Sequence, residues 1–94
     1  MEERKKKMNE IKERVFQIIK SSFPSIDDFN INDSNLDLVK NLGMDSLTFV
    51  EMIILIEEEF NIEIPFEILV INNFNNIDSI ANVVKKALID QYKK

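Results

Sequence analysis

The chain has only one glycine and two prolines in 94 residues, so it is poor in the residues that form tight turns. A β-sandwich or barrel joins many short strands through turns that are rich in Gly and Pro. One glycine and two prolines are too few for that many turns. Its length suits one domain, and 45% hydrophobic residues are enough for a packed core. We therefore predict one domain over residues 1–94, its first few residues frayed, with an all-α four-helix bundle of three longer helices and one short one.

The sequence contains neither Cys nor His. Disulfides, thiol nucleophiles and Cys-ligated zinc are thereby excluded, and the most common general base and metal ligand is missing. A calcium-binding loop starting at Asp33 also fails, because Leu38 and Met44 stand where Gly and Glu are required. We expect no metal site and no catalytic residue in this chain.

The charges are unevenly placed along the chain. Net charge is +3 over residues 1–20, −10 over 21–75 and +2 over 76–94, which gives −5 in all. This balance argues against nucleic-acid binding, which needs a clustered basic face, and it favours a basic protein partner. The alternative is that the charges only solvate helical faces. With no run typical of a signal peptide or membrane span, we expect a cytoplasmic monomer without membrane insertion.

Hydrophobic spacing predicts the positions of the helices. The predicted helices cover residues 3–21, 46–60, 66–71 and 77–91. Pro65 is suited to open the third of these, and Asn75 with Asp78 resembles a capping box at the start of the last.

Residues 22–45 have the composition of a loop, with Pro24 and many Asp, Asn and Ser residues. A loop this long in so small a domain is expected to be functional or to hold a short turn. Six apolar residues are predicted to hold it against the core: Ile26, Phe29, Ile31, Leu36, Leu38 and Val39.

The second predicted helix carries two apolar stripes at helical spacing. The first is expected to face the core and consists of Phe49, Met52, Ile53, Ile56 and Phe60. The second consists of Leu47, Val50 and Ile54, with Glu57 on one side and Glu51 and Glu58 on the other. An apolar stripe bordered by carboxylates is typical of a docking surface for a basic partner. The alternative is a central helix buried on nearly all sides; Leu55 fits neither stripe.

The only glycine, Gly43, lies three residues before Ser46 at the predicted start of this helix. A lone Gly there indicates a positive φ or a close approach by a bulky group. On a structural interpretation, Asp45 or Ser46 merely caps the helix, and Thr48 with Glu51 is a further possible capping box. On a functional interpretation, Ser46 is modified, because a helix N-terminus stabilises an attached phosphodiester. Lacking His, the chain would be a substrate for another protein that supplies the base and metal.

The segment Leu42-Gly43-Met44-Asp45-Ser46-Leu47 resembles the attachment motif of acyl carrier proteins. The match continues through Val50-Glu51 and through Ile56-Glu57-Glu58-Glu59-Phe60-Asn61-Ile62-Glu63-Ile64-Pro65. The resemblance implies an acyl-carrier-protein-like bundle in which a phosphopantetheinyl transferase moves 4′-phosphopantetheine from coenzyme A to Ser46. Asp45, Gly43 and Leu47 are then cofactor-binding residues beside Ser46, and the thiol of the arm holds acyl groups as thioesters.

The resemblance also implies which residues meet partners and cargo. The partners are the transferase and acyl-loading, acyl-transfer or condensing enzymes of fatty-acid, polyketide or related specialised biosynthesis, with basic docking surfaces. The residues that they recognise are Asp45, Leu47, Val50, Glu51, Ile54, Glu57 and Glu58. The acyl chain is lined by Phe49, Ile53, Ile56 and Phe60.

Three residues depart from the family pattern. Thr48 and Asn41 stand where Asp is common, and Phe66 stands where an acidic residue is usual. These departures favour a specialised pathway over housekeeping fatty-acid synthesis. Two alternatives stay open: a peptidyl or aminoacyl carrier of a nonribosomal-peptide-type pathway, and an unmodified helical adaptor that docks through the second helix.

Overall fold

The computed structural model describes residues 2–23 and 36–92, with side chains described over 8–23 and 36–90. These residues form four α-helices: α1 (Glu2–Ser22), α2 (Leu38–Leu42), α3 (Ser46–Phe60) and α4 (Ile77–Tyr92). No strand occurs in the described ranges. The predicted all-α bundle with three long helices and one short helix is confirmed, although the short helix is α2 and not the predicted segment 66–71.

Helix α1 packs against both α3 and α4. Its buried side chains are Ile11, Val15, Ile18 and Ile19. Their spacing of three, four and seven residues places them on one side of the helix, so that polar residues cover the other side. No helix within the described residues is long and apolar enough to cross a membrane.

Two ion pairs at the surface fasten α1 to its neighbours. Lys12 Nζ lies 2.8 Å from Asp78 Oδ1 on α4. Arg14 donates to Glu59 Oε2 on α3 at 2.7 and 2.9 Å, and its guanidinium lies 4.4 Å from the centre of the Phe60 ring. Exposed ion pairs contribute roughly 0–1 kcal/mol each, so these contacts orient α1 more than they stabilise the fold.

The core consists of apolar side chains from every helix. Its described part contains no buried polar or charged residue. The aromatic centre is formed by Phe49 of α3 and Phe74, whose ring centroids are 5.4 Å apart. Phe74 is fully buried although it precedes α4 in a run of asparagines. Burial of such side chains stabilises the fold by about 1.5–3 kcal/mol each.

Helix α2 is the short turn expected within residues 22–45. The Asp37 carboxylate accepts hydrogen bonds from the backbone N–H groups of Val39 and Lys40, both at 2.9 Å, and so caps the helix. The Leu38 N–H donates to the Asn75 carbonyl at 2.7 Å. The bond from Leu38 to Asn75 attaches α2 to the residues that lead into α4.

The predicted anchors of this segment are confirmed in part. Leu36 and Leu38 are buried, but Val39 is exposed, because it follows Leu38 by one position and points about 100° away from it. The predictions for Ile26, Phe29 and Ile31 lie outside the described residues.

The prediction of a helix over 66–71 is wrong, because this segment contains two separate 3₁₀ turns, Phe66–Ile68 and Ile71–Asn73. Leu69 and Val70 leave the helical region, with ψ values of 64° and 142°. Ile68 and Leu69 before this break and Ile71 after it pack partly against the core.

The capping pair predicted for α4 is also wrong by one residue. Asn76 Oδ1, and not Asn75, accepts the hydrogen bond from the Ser79 N–H, at 2.8 Å. Asn75 is engaged elsewhere, since its carbonyl binds Leu38 and its side-chain amide lies 3.4 Å from Asp37 Oδ2. Contact with α2 therefore decides which asparagine caps α4.

Gly43 ends α2 with a φ of 72°, and its N–H donates to the Val39 carbonyl at 3.1 Å. A Cβ added at Gly43 would meet nothing within 4 Å, so the positive φ, and not crowding, explains the glycine.

We predict that Gly43→Ala lowers the free energy of unfolding by about 1 kcal/mol, since an L-residue is strained in the left-handed region. Chemical denaturation of the purified variants measures this. Gly43→Asn is the matched control and should lose less, because Asn tolerates this region, as Asn61 does at φ 53°. An alanine variant as stable as the wild type would contradict this explanation.

Candidate functional site

The candidate site lies where α2 meets α3. Gly43, Met44 and Asp45 alone separate the two helices. Met44 is buried in the core, and its N–H donates to the Leu38 carbonyl at 3.0 Å. Asp45 has an extended backbone, with φ −113° and ψ −177°, and is exposed together with Ser46. The buried Met44 thus holds the connection in place while the two following side chains face solvent.

Asp45 is the N-cap of α3. Its Oδ1 accepts a hydrogen bond from the Thr48 N–H at 2.9 Å and a second from the Thr48 hydroxyl at 2.8 Å. Of the two predicted caps, the structure selects Asp45, and Thr48 serves as a donor inside the first turn and not as a cap paired with Glu51. Within the described part of the chain, the Ser46 hydroxyl has no hydrogen-bond partner. Capping therefore does not account for Ser46.

These bonds also set the electrostatics at the start of α3. The Thr48 backbone N–H, followed by its hydroxyl, holds the pKa of Asp45 below the ordinary value of 3.8. Asp45 is thus ionised at neutral pH and leaves a negative charge next to Ser46. The helix N-terminus adds a positive potential at the same place, because its first backbone N–H groups have no intrahelical partner.

The surroundings of Ser46 fit a long substituent on its hydroxyl. The side chain is exposed, and nothing lies within 4 Å of the position that a Cβ on Gly43 would occupy. A phosphodiester at the first position of a fifteen-residue helix is favoured by the helix dipole. In the described residues, no cluster of His, Cys, Asp or Glu could hold a metal ion.

Helix α3 presents an apolar strip, which consists of Leu47, Val50 and Ile54. These side chains are 70%, 51% and 49% exposed, respectively. The alternative of a helix buried on nearly all sides is therefore wrong. The opposite face carries the five residues predicted for the core, and all of them are buried: Phe49, Met52, Ile53, Ile56 and Phe60. Exposure of the strip is what a docking surface requires.

Carboxylates border the strip as predicted, but they are not equivalent. Glu51 and Glu58 are exposed, whereas Glu57 is half-buried and its Oε2 accepts a hydrogen bond from the Ile64 N–H at 2.9 Å. One oxygen of Glu57 thus holds the segment that follows α3. The role of Asp45, Glu51, Glu57 and Glu58 in partner contact stays a prediction.

The residues predicted to line an acyl chain lie in the core of the bundle. Phe49, Ile53, Ile56 and Phe60 are all buried, with Phe49 against Phe74. Sequence reasoning missed Phe74, because a single aromatic residue among asparagines has no periodicity to identify it. The lining role of the four residues stays a prediction.

Leu55, which fits neither stripe of α3, faces an open groove between α1 and α3. The groove has a volume of about 550 Å³ and is lined by Arg14, Gln17, Ile18, Ser21, Leu55, Glu58 and Glu59. Leu55 therefore lies beside α1, on a side of α3 separate from the apolar strip.

We predict that the cap formed by Asp45 makes stability depend on pH. Because folding lowers the pKa of Asp45, its stabilisation is fully present above the ordinary value of 3.8 and is lost as the pH falls through the lower folded-state value. Asp45→Asn should be less stable than the wild type at pH 7, and the difference should shrink towards pH 2. Thermal unfolding of both proteins across this range measures it; a difference independent of pH would contradict the charged cap.

Comparison of the sequence with known proteins identifies the family of the chain. The family model for the phosphopantetheine attachment site matches residues 13–84, a range that includes the junction of α2 and α3. The chain is 38% identical over 79 residues to an acyl carrier protein of Buchnera aphidicola subsp. Baizongia pistaciae. This match covers 84% of the chain and 96% of that protein.

Two further relatives carry the same name and match shorter regions. A mitochondrial acyl carrier protein of Saccharomyces cerevisiae is 42% identical over 60 residues, covering 61% of this chain and 47% of that protein. An acyl carrier protein of Helicobacter pylori is 47% identical over 49 residues, covering 52% of this chain and 56% of that protein. Since both the family model and the Buchnera relative match most of its length, the chain belongs to the acyl carrier protein family, in which the bound group is 4′-phosphopantetheine.

Proposed function

We propose that this carrier protein holds acyl groups on a 4′-phosphopantetheine arm attached to Ser46. The observation that carries the proposal is the exposed Ser46 hydroxyl at the first position of α3, which is left unpaired in the described structure because Asp45 caps the helix. It lies within the region that matches the phosphopantetheine attachment model. As a family member the chain is a carrier and is not itself catalytic.

Attachment uses the Ser46 oxygen as a nucleophile and a partner as the catalyst. Ser46 Oγ forms a bond to the phosphorus that bears the pantetheine in coenzyme A, the bond from that phosphorus to 3′,5′-ADP breaks, and the hydroxyl proton passes to a base of the transferase. The N-terminus of α3 then faces the new phosphodiester. When bound, the cofactor supplies a thiol that forms thioesters. The chain has no thiol of its own, because it contains no cysteine.

The partners dock on α3, through the apolar strip and its bordering carboxylates. Residues 41–84 contain eight Asp or Glu and no Lys or Arg, so a basic surface is attracted to this part of the chain. We propose that the transferase and the acyl-loading, acyl-transfer or condensing enzymes share this surface. The acyl chain would enter the bundle beside Phe49, Ile53, Ile56 and Phe60, where it meets only hydrocarbon.

The departures from the family pattern support a specialised pathway. Thr48 replaces a common Asp, and its hydroxyl binds Asp45 where a second carboxylate would repel it. Phe66 is exposed where an acidic residue is usual. A cytoplasmic location also stays a prediction, since the Saccharomyces relative is named as mitochondrial.

We predict that the purified protein, incubated with coenzyme A, magnesium and a promiscuous phosphopantetheinyl transferase, gains the mass of one phosphopantetheine. Ser46→Ala should gain none, because the acceptor oxygen is missing. Ser21→Ala is the matched control and should be loaded normally, since Ser21 lies on α1 and only donates to the Ile18 carbonyl. Intact-protein mass spectrometry gives the result. An unmodified wild type beside a loaded control carrier would favour the helical adaptor.

We predict that Glu51→Lys lowers kcat/KM for loading by about 10-fold at low salt, since a charge at the border of an interface mainly changes the association rate. Glu10→Lys makes the same change in net charge on the exposed face of α1 and should have little effect. The gap between the two variants should narrow at high salt, because charges are screened over ~8 Å at physiological ionic strength. Equal rates for both variants would contradict docking through α3.

A further inference from the structure

The connector between α3 and α4, residues 61–76, exposes two large apolar side chains. Phe66 is 86% exposed and Val70 is 51% exposed. We call these two residues the connector patch. A single exposed apolar residue is common on protein surfaces, but a nearly fully exposed aromatic ring with a second apolar residue on the same short segment requires an explanation.

The fold of the connector does not need the Phe66 ring. Ile62, Ile64 and Phe74 are buried and fix the two ends of the segment, while Ile68 and Leu69 pack partly against the core. The backbone at Phe66 is held by two 3₁₀ hydrogen bonds, from Ile68 to Pro65 and from Leu69 to Phe66, both at 3.1 Å. The ring is therefore displayed from an ordered turn without contributing to the core.

The connector patch follows the apolar strip of α3 along the chain, and Glu57 holds the two segments together. Glu57 lies one helical turn after Ile54, the last residue of the strip, and it bonds the connector twice. Its carbonyl accepts from Ile62 at 3.1 Å and its Oε2 accepts from Ile64 at 2.9 Å. Phe66 is two residues beyond Ile64, within about 7 Å of it along the chain. The bonds from Glu57 thus hold the connector patch near the end of α3 at which the strip finishes.

The charge around the connector patch indicates the kind of partner that binds there. Glu63 and Glu67 flank Phe66 in sequence and are both exposed. The nearest Lys or Arg residues in the sequence are Lys40 and Lys85, well outside the connector. A partner that fits this surface combines Lys or Arg side chains with an apolar pocket that accepts an aromatic ring. Aromatic residues that enter such pockets are typical hot spots of binding energy.

The distance from Ser46 to the connector fits a single partner. The fifteen residues of α3 span about 22 Å along the helix axis. An interface of standard size buries ~800 Å² on each side, which corresponds to a disc about 30 Å across. An enzyme whose active site reaches Ser46 can therefore contact the connector patch at the other end of α3.

We infer that Phe66 and Val70 anchor the phosphopantetheinyl transferase while it modifies Ser46, with Phe66 in an apolar pocket bordered by basic residues of the enzyme. This inference rests on the proposed function, because it requires Ser46 to be the acceptor. Phe66 is a positioning residue for this reaction, since it acts on binding and touches none of the reacting atoms.

The test is the loading kinetics of the intact chain with a phosphopantetheinyl transferase and coenzyme A. Phe66→Ala should raise KM for the carrier about 10-fold and leave kcat unchanged, as expected for a docking anchor. Val70→Ala should have a smaller effect of the same kind. Ile89→Ala is the matched control, because Ile89 is an exposed apolar residue on α4, and it should load like the wild type.

The outcomes separate this inference from the proposed function. A wild-type chain that stays unmodified beside a loaded control carrier would contradict the attachment at Ser46 itself. A wild type that is loaded, with Phe66→Ala matching Ile89→Ala in KM, would overturn the anchoring role alone. A fall in kcat without a rise in KM would overturn it as well. Thermal unfolding of each variant checks the fold, and Phe66→Leu, which keeps an apolar side chain, should recover part of the loss in KM.

Discussion

The Asp45 carboxylate, held by the backbone and hydroxyl of Thr48, decides where α3 begins. Every functional feature of that helix depends on this starting point, because each residue is turned about 100° from the one before it. With the helix beginning at Ser46, the hydroxyl falls at the first exposed position, the five large apolar residues face the core, and Leu47, Val50 and Ile54 face solvent. The cap thus fixes the proposed attachment point and the proposed docking face together.

Hydrophobic periodicity predicts the long helices well, because consistent spacing over three turns or more outweighs the preferences of single residues. The bounds of α3, its buried face and its exposed strip all follow from this pattern. Short segments are different, since long-range contacts decide their structure. Asn76 caps α4 while Asn75 is bound to α2, and residues 66–71 split into two turns where Leu69 and Val70 leave the helical region.

At the site itself, the positive φ of Gly43 and the capping role of Asp45 follow from local rules about glycine and short acidic side chains. Two contacts do not: the Thr48 hydroxyl on Asp45, and the Glu57 carboxylate on Ile64. Both depend on side-chain orientation in three dimensions, which spacing does not encode. Local physics alone also leaves capping as a sufficient role for a serine at a helix start; the family motif brings in the cofactor, and the geometry then shows that the cap is a different residue.

The described core contains hydrocarbon and aromatic rings with no buried polar partner, and the polar ties of α1 to α3 and α4 lie at the rim of the bundle. Hydrogen bonds and ion pairs resist the sliding of one helix along another, because their energy depends on direction. The energy of contacts between alkyl groups depends little on which alkyl group takes part. Helices packed in this way could separate slightly and admit the proposed acyl chain without breaking a directional bond inside the described core. The interior would then accommodate acyl chains according to their length, whatever the position of branches or double bonds in them.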